Sequence, residues 1–197
     1  MISATRHTIV ALVEDHPGVL NRIVSLFRRR NFNIESLAVG HTEVAGISRM
    51  TIVVSGSDTV VEQVSKQLYK VIDVLKVTDV THEKAVNREL ALVKVTSTGQ
   101  NRAEIMQLVD IYRAKIVDVA ADSVMVEITG PESKVESLLS LLRPFGIKEM
   151  VRTGRVSMMR GVAGTIRAPD EDSDGKGRDS TNHRLPTRHL VVESQET

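Results

Sequence analysis

Two successive stretches of the chain repeat the same order of hydrophobic patterns, and this repeat restricts the fold more than any other feature. In each stretch a short apolar run is followed by an amphipathic helical pattern, a pair of strand-like runs, a second helical pattern and a last strand-like run. The order βαββαβ, met twice, predicts an α+β protein built of two ferredoxin-like units in tandem.

The first unit is predicted over residues 1–81. Residues 7–13 (HTIVALV) are β-branched and almost all apolar, as expected of a central strand, and the EDHPG sequence that follows ends it. A helix comes next, with Pro17 at its first position, where a missing N–H costs nothing. A hairpin over residues 33–55, a second helix and a last strand complete the unit. The spacing i, i+3, i+4, i+7 predicts the buried face of the first helix at Leu20, Ile23, Val24 and Phe27.

The second unit is predicted over residues 90–160, after a charged linker at residues 82–89. It repeats the first unit element by element and ends in one strand over residues 148–158. Beyond it the chain turns to Gly, Pro, Asp, Ser and Arg with few apolar residues, a composition that buries too little surface to offset the entropy of ordering. We therefore expect residues 161–197 to be a flexible tail.

The composition excludes several classes of function. Lys and Arg number 26 against 25 Asp and Glu, so the overall charge does not indicate a nucleic-acid partner. The chain has no Cys, which removes disulfides, zinc–thiolate sites and cysteine nucleophiles. Its six histidines show no metal-ligand spacing with carboxylates along the sequence, and no phosphate-binding loop or nucleophile elbow is present. We expect neither a metal site nor catalysis by this chain alone.

The distribution of apolar residues predicts a cytoplasmic protein. No run approaches the 18 apolar residues of a membrane span, and residues 1–7 lack the apolar region of a secretory signal. A transit peptide already removed from this numbering remains an alternative.

The loop between the first strand and the first helix is the candidate binding site. A helix N-terminus offers unpaired N–H groups and a partial positive charge to a carboxylate, and Gly18 allows a ligand to approach the backbone closely. Asp15 offers an anion to an ammonium group. The carboxylate of an amino acid zwitterion would bind the helix N–H groups, and its ammonium group would pair with Asp15. Spacing alone favours a plainer interpretation, in which Pro17 and Gly18 shape a tight turn and Asp15 caps it.

Longer stretches of the sequence resemble a known family. The segment DHPGVL, residues 15–20, resembles the D-x-P-G-x-L signature of ACT domains, which are ferredoxin-like modules that bind amino acids. Further segments are similar to the small regulatory subunit of acetolactate synthase, also called acetohydroxyacid synthase. They are NFNIESLAVGHTE at 31–43, SRMTIVVSG at 48–56, QLYKVIDVLKV at 67–77, and REL and VKV within 88–95. The resemblance extends over residues 7–160.

The resemblance implies where an effector, valine, binds. Asp15 stands where the family has an effector-contacting Asn or Asp, and Gly18 matches the loop glycine needed for feedback inhibition. A neighbouring chain closes the pocket, since two ACT domains pair side by side in this family. The implied effector-binding residues are Asp15, Pro17, Gly18, Val19 and Leu20 of one chain with Asn33 and Ile34 of the other. Without the resemblance, Asn33 fits a turn and Ile34 fits the core equally well.

The resemblance also implies the function. A small subunit of this family is not an enzyme by itself. It activates a large catalytic subunit and confers feedback inhibition by valine in branched-chain amino acid biosynthesis. Thiamine diphosphate, Mg and FAD belong to that catalytic partner, and no cofactor is expected in this chain. The second unit has STGQNRAEI, residues 97–105, in place of the effector loop, so it is expected to contact partners and not valine.

Two other functions share the βαββαβ order. An RNA-recognition domain stacks bases on aromatic side chains of its sheet, but the strand-like runs HTIVALV and SRMTIVV contain none. An ACT sensor without an enzyme partner, or with a different enzyme, is argued against only by the close match of NIESLAVG and SRMTI to the acetolactate synthase family.

Overall fold

The computed structural model describes residues 5–161. The first unit consists of β1 (Thr5–Glu14), α1 (Val19–Arg29), β2 (Ile34–His41), β3 (Ile47–Gly56), α2 (Asp58–Leu68) and β4 (Val74–Asp79). The second consists of β5 (Ala85–Thr96), α3 (Arg102–Ile111), β6 (Lys115–Val119), β7 (Ser123–Gly130), α4 (Glu132–Leu142), a short 3₁₀ turn (Arg143–Phe145), β8 (Ile147–Arg152) and β9 (Val156–Met159). No helix in this part of the chain is long and apolar enough to cross a membrane. Apart from Gly161, the predicted tail lies outside the described residues.

Each unit forms one antiparallel sheet. The strand orders are β2-β3-β1-β4 and β6-β7-β5-β8, so β1 and β5 occupy equivalent internal positions. In each unit the two helices pack on one face of the sheet and enclose an aliphatic core. The predicted α+β fold of two tandem ferredoxin-like units is confirmed.

The first core follows from the alternation of side chains along β1. Ile9, Ala11 and Val13 point to the helical face, where they are at most 2% exposed. They pack against residues of α1 and α2, which include Phe27 and Val64. With so few aromatic residues, the cores are filled by Val, Ile and Leu, whose branched shapes suit a pleated surface.

The buried face of α1 differs from the prediction. Leu20 and Val24 are 45% and 41% exposed, whereas Val19 and Leu26 are buried together with the correctly predicted Ile23 and Phe27. The apolar arc of this helix is wider than the stripe that faces the core, so the helical spacing is compatible with both the predicted and the observed set of buried residues. Packing against the first sheet and α2 selects the face that contains Val19 and Leu26.

The opposite face of the first sheet is also buried, because the second unit contacts it. Val10 and Leu12 of β1 are at most 2% exposed there. Arg155 donates from Nη1 to Thr8 Oγ1 at 3.0 Å, and Arg49 donates from Nη2 to the Ser157 carbonyl oxygen at 2.8 Å. Strand β1 is therefore covered on both faces, which explains why residues 7–13 are nearly all apolar although the sheet is antiparallel.

The linker predicted at residues 82–89 is wrong in its second half. Strand β5 begins at Ala85, and residues 85–88 pair with β9. The strand predicted over residues 148–158 is divided between β8 and β9 by an interruption at residues 153–155. The interruption lets Gly154 pack against the Leu37 peptide, a contact between distant parts of the chain that local sequence patterns do not report.

Replacing Gly154 by alanine tests the packing of the two units. A Cβ there would lie 2.5 Å from the Leu37 carbonyl oxygen, so the backbones must move apart. We expect Gly154→Ala to lower the free energy of unfolding by about 1–3 kcal/mol in urea denaturation. Gly99→Ala is the matched control, because a Cβ at Gly99 has no neighbour within 4 Å. Equal stability of the two variants would contradict the close contact.

Candidate functional site

The loop between β1 and α1 is held by backbone hydrogen bonds on both sides. The Glu14 N–H donates to the Asp73 carbonyl oxygen at 2.9 Å, and the Asp15 N–H donates to the Gly46 carbonyl oxygen at 2.8 Å. Asp73 lies just before β4 and Gly46 just before β3, the two neighbours of β1. The loop is therefore fixed at the end of the sheet.

Gly18 begins α1 and leaves the helix terminus open. Its φ of 95° lies in the left-handed region that glycine adopts at little cost, and no atom lies within 4 Å of the position that a Cβ would take. Its carbonyl accepts the first helical bond, from Arg22 N–H at 3.0 Å. Among the described residues no side chain caps this terminus, and the first turn contains no acidic residue. The first N–H groups of α1, with the partial positive charge of the helix terminus, therefore have no side-chain cap in the described part of the chain.

Asp15 has a partner that the sequence analysis did not foresee. Its Oδ2 lies 2.9 Å from Nδ1 of His41, which ends β2. Both side chains remain accessible, with Asp15 39% and His41 84% exposed. The predicted anion is thus at the loop, next to the His41 imidazole.

A buried carboxylate lies beneath the loop. The Asp73 side chain is 4% exposed and accepts hydrogen bonds from Arg22 Nη1 at 2.9 and 2.7 Å on its two oxygens. His16 Nε2 lies 3.2 Å from Asp73 and 3.2 Å from Glu14. These residues tie the start of α1 to the start of β4. Sequence reasoning missed Asp73, although an acidic residue between the apolar Ile72 and Val74 was a signal for it.

The pKa of His16 is raised above its ordinary value by this environment. The largest cause is the hydrogen bond to the Pro17 carbonyl oxygen, at 3.1 Å from Nδ1, and the Asp73 carboxylate adds to it. Desolvation acts in the opposite direction but is outweighed. His16 and the Asp73 carboxylate thus link the loop to the start of β4.

Asn33 and Ile34 do not meet this loop within one chain. Ile34 pairs with Val54 at one end of β2, whereas His41 pairs with Ser48 at the other end, beside the loop. The seven-residue separation corresponds to about 23 Å along an extended strand. Asn33 is exposed, and Ile34 is half-buried against the first core.

The fold brings histidines and carboxylates together at two places where the sequence shows no ligand spacing. One ligand atom from each member of a group lies within 4.8 Å of the others. The groups are Glu14 with His16 and Asp73, and His7 with Asp58 and His82. In the first group, Arg22 already neutralises Asp73.

The fold and the loop together define a class: tandem ferredoxin-like proteins whose first unit has an ACT-type effector loop. Comparison with known families narrows the class. The model described as "AHAS small subunit-like ACT domain" matches residues 9–76, and the model described as "Small subunit of acetolactate synthase" matches residues 88–161. The chain belongs to the family of acetolactate synthase small subunits.

Individual relatives agree with the family models. The acetolactate synthase small subunit of Mycobacterium leprae is 50% identical over 164 residues, which cover 83% of this chain and 97% of that protein. The Bacillus subtilis small subunit is 51% identical over 158 residues, 80% of this chain and 92% of that protein. The crystal structure of the acetolactate synthase small subunit from Thermotoga maritima superposes with a TM-score of 0.75 at 44% identity, covering 80% of this chain and 99% of that one.

Titration of His16 tests the cluster beneath the loop. We expect NMR to place the pKa of His16 above its ordinary value, and Asp73→Asn to lower it. Because the folded pKa is raised, the stabilisation from His16 is fully present below its unfolded pKa, about 6.5. It is lost as the pH rises through the folded pKa. Asp15→Asn is the control, since Asp15 contacts His41 and not His16. A His16 pKa that is the same in Asp73→Asn as in the parent would rule out the interaction.

Proposed function

We propose that this chain is the regulatory subunit of acetolactate synthase. It activates a large catalytic subunit and confers feedback inhibition by valine in branched-chain amino acid biosynthesis, in the cytoplasm. The observation that carries the proposal is the uncapped N-terminus of α1 at Gly18, within the unit that matches the ACT model. Thiamine diphosphate, Mg and FAD belong to the catalytic partner, and this chain binds none of them.

The loop suits the two charged ends of an amino acid. The carboxylate accepts hydrogen bonds from the N–H groups of Val19 and Leu20 at the positive end of α1. The ammonium group pairs with Asp15, whose second carboxylate oxygen is not used by His41. Pro17 and the left-handed Gly18 keep the backbone in the conformation that presents these donors. The exposed part of Leu20 gives a branched side chain an apolar contact.

A second copy of the chain completes the pocket. Strand β2 is an edge strand, paired only with β3 among the described residues. Two β2 strands that pair antiparallel around Leu37 and Ala38 would place Ile34 of one chain opposite His41 of the other. Asn33 would then offer amide donors and an acceptor to the zwitterion, and Ile34 an apolar wall. The separation of these residues from the loop within one chain supports a site shared between chains.

Ion pairs connect this strand to the second unit. Arg6 pairs with Glu35 at 2.8 Å and also with Glu132 at the start of α4. Arg155 pairs with Glu132, and its N–H donates to Ser36 Oγ at 2.8 Å. Desolvation opposes ionisation of Glu132, but hydrogen bonds and charge from both arginines outweigh it and hold its pKa below the usual value. A change that valine binding causes at the start of β2 is therefore transmitted to the second unit through these contacts. By thermodynamic linkage, a change in the second unit must alter valine binding in return.

The structure also bears on the rival functions. The face of the first sheet that would stack RNA bases is buried by the second unit, and its described β1 and β3 residues include no aromatic side chain.

A sensor without an enzyme partner is separated from the proposed function by reconstitution with a catalytic subunit. Mixed with a matching catalytic subunit, this chain should raise acetolactate formation and make it sensitive to valine. No activation and no effect of valine would refute the proposed function.

Replacing Gly18 by aspartate tests the pocket. We expect valine at about 100 times its dissociation constant to stabilise the chain by about 2.7 kcal/mol in a melting scan. Gly18→Asp should remove this shift while leaving activation mostly intact, because it adds a negative charge and a side chain at φ 95° where the carboxylate binds. Gly99→Asp, in the corresponding loop of the second unit, is the control and should keep the shift. A shift that survives Gly18→Asp would place the pocket elsewhere.

Replacing Arg155 by alanine tests the coupling. The variant loses the contacts to Thr8 and Glu132 but retains the effector loop. We expect the valine-induced melting shift to persist, and half-inhibition of the reconstituted enzyme to need roughly fivefold more valine, a loss of about 1 kcal/mol of coupling. Arg143→Ala is the control, because Arg143 makes no ion pair within residues 5–161. Unchanged inhibition in Arg155→Ala would exclude a contribution of the Arg155 side chain to the coupling.

A further inference from the structure

His7, Asp58 and His82 form a cluster at the end of the first sheet away from the effector loop. His7 lies on β1, Asp58 begins α2, and His82 follows β4. One ligand atom from each lies within 4.8 Å of the others, and the two imidazole rings are perpendicular with their centroids 6.4 Å apart. Three chain segments therefore bring two imidazoles and a carboxylate to one place.

His7 is held in a way that suits a metal ligand. The residue is 1% exposed, and its Nε2 lies 3.2 Å from the Gly56 carbonyl oxygen and 3.8 Å from Asp58 Oδ1. The Gly56 carbonyl oxygen can only accept, so Nε2 is the donor in that hydrogen bond. Nδ1 is buried and has no hydrogen-bond partner among the described residues. Metal-binding histidines commonly donate their other N–H to a backbone carbonyl, which orients the ring.

A cavity of about 440 Å³ adjoins two members of the cluster, Asp58 and His82. These two residues line it together with the carboxylates of Glu62 and Asp79, whereas His7 lies outside the lining. The partial positive charge at the start of α2 disfavours a cation, but three carboxylates around the cavity offset it. The net charge of the lining therefore favours a cation over an anion.

We propose that His7, Asp58 and His82 bind a divalent transition-metal cation such as Zn²⁺ or Co²⁺. Two imidazoles and one carboxylate favour such metals over Mg²⁺ and Ca²⁺, which take mainly oxygen ligands. Metal–ligand distances of about 2.0–2.2 Å require the ligand atoms to come closer together than 4.8 Å. The exposed Asp58 and His82 side chains can close around the fixed His7. Three protein ligands leave a further position for water or a small anion.

The other histidine–carboxylate group provides the internal comparison. Around His16, the Arg22 guanidinium already occupies the cation position next to Asp73. Around His7, no arginine or lysine pairs with Asp58 within the described part of the chain, and of the three cavity carboxylates only Glu62 has a lysine or arginine partner there, Lys66. The two groups are alike in composition but differ in whether a cation is already present.

The test is a Co²⁺ titration of the full-length chain after removal of metals with EDTA, followed by visible absorption and by displacement with Zn²⁺. We expect ligand-field bands that saturate at one Co²⁺ per chain. His82→Gln and Asp58→Asn should each weaken Co²⁺ binding at least tenfold. Both residues are exposed, so the variants should fold, and a circular dichroism spectrum checks this. His7→Gln, which changes a buried residue, should abolish the bands if it folds.

Two control variants make the result decisive. His16→Gln should leave the Co²⁺ bands unchanged, and so should the double variant His183→Gln/His189→Gln. Bands that persist in both His82→Gln and Asp58→Asn, or that disappear in either control variant, would overturn the proposal, as would absence of saturable bands in the parent chain. The outcome is independent of the proposed regulatory function, because the titration needs neither valine nor a catalytic subunit.

Discussion

Burial of β1 on both faces is the constraint on which the rest of the structure depends. Its helical face packs on α1 and α2, and its other face is buried on the side of the second unit, whose Arg155 donates a hydrogen bond to Thr8. The ends of a strand held in this way are fixed in space. One end presents the Asp15 loop and the other end presents His7, so both candidate sites take their geometry from the same buried strand.

The repeat and its strands could be predicted because they depend on short-range patterns. Apolar runs, helical spacing and turn residues gave both βαββαβ units with bounds close to those observed. The errors arose where contacts between distant residues decide. Residues 85–88 are strand because β9 returns to pair with them, and α1 buries Val19 instead of Leu20 because the Val19 side of the helix packs against the first sheet. Neither fact is present in a local window of sequence.

The candidate site likewise has one part that local sequence predicts and another that depends on distant segments. The uncapped helix terminus at Gly18 follows from local sequence, since a glycine after proline sets both the turn and the approach of a ligand. The groups that surround it come from elsewhere in the chain. His41 and Asp73 lie 26 and 58 residues after Asp15, and the pairing of β1 with β4 and with β3, and of β3 with β2, brings them to the loop.

The two ends of β2 show how such a sensor can act on a distant unit. His41 ends the strand beside the effector loop, and Glu35 begins it beside Arg6 and the second unit. In the proposed dimer, antiparallel pairing places the Glu35 end of one chain next to the loop of the other. Valine bound at one loop would therefore order the start of the neighbouring β2, which is tied through Arg6 to Glu132 of that neighbour. In this proposal each effector would act on the second unit across the dimer seam, so dimerisation, valine binding and the position of the second unit would form a single linked equilibrium.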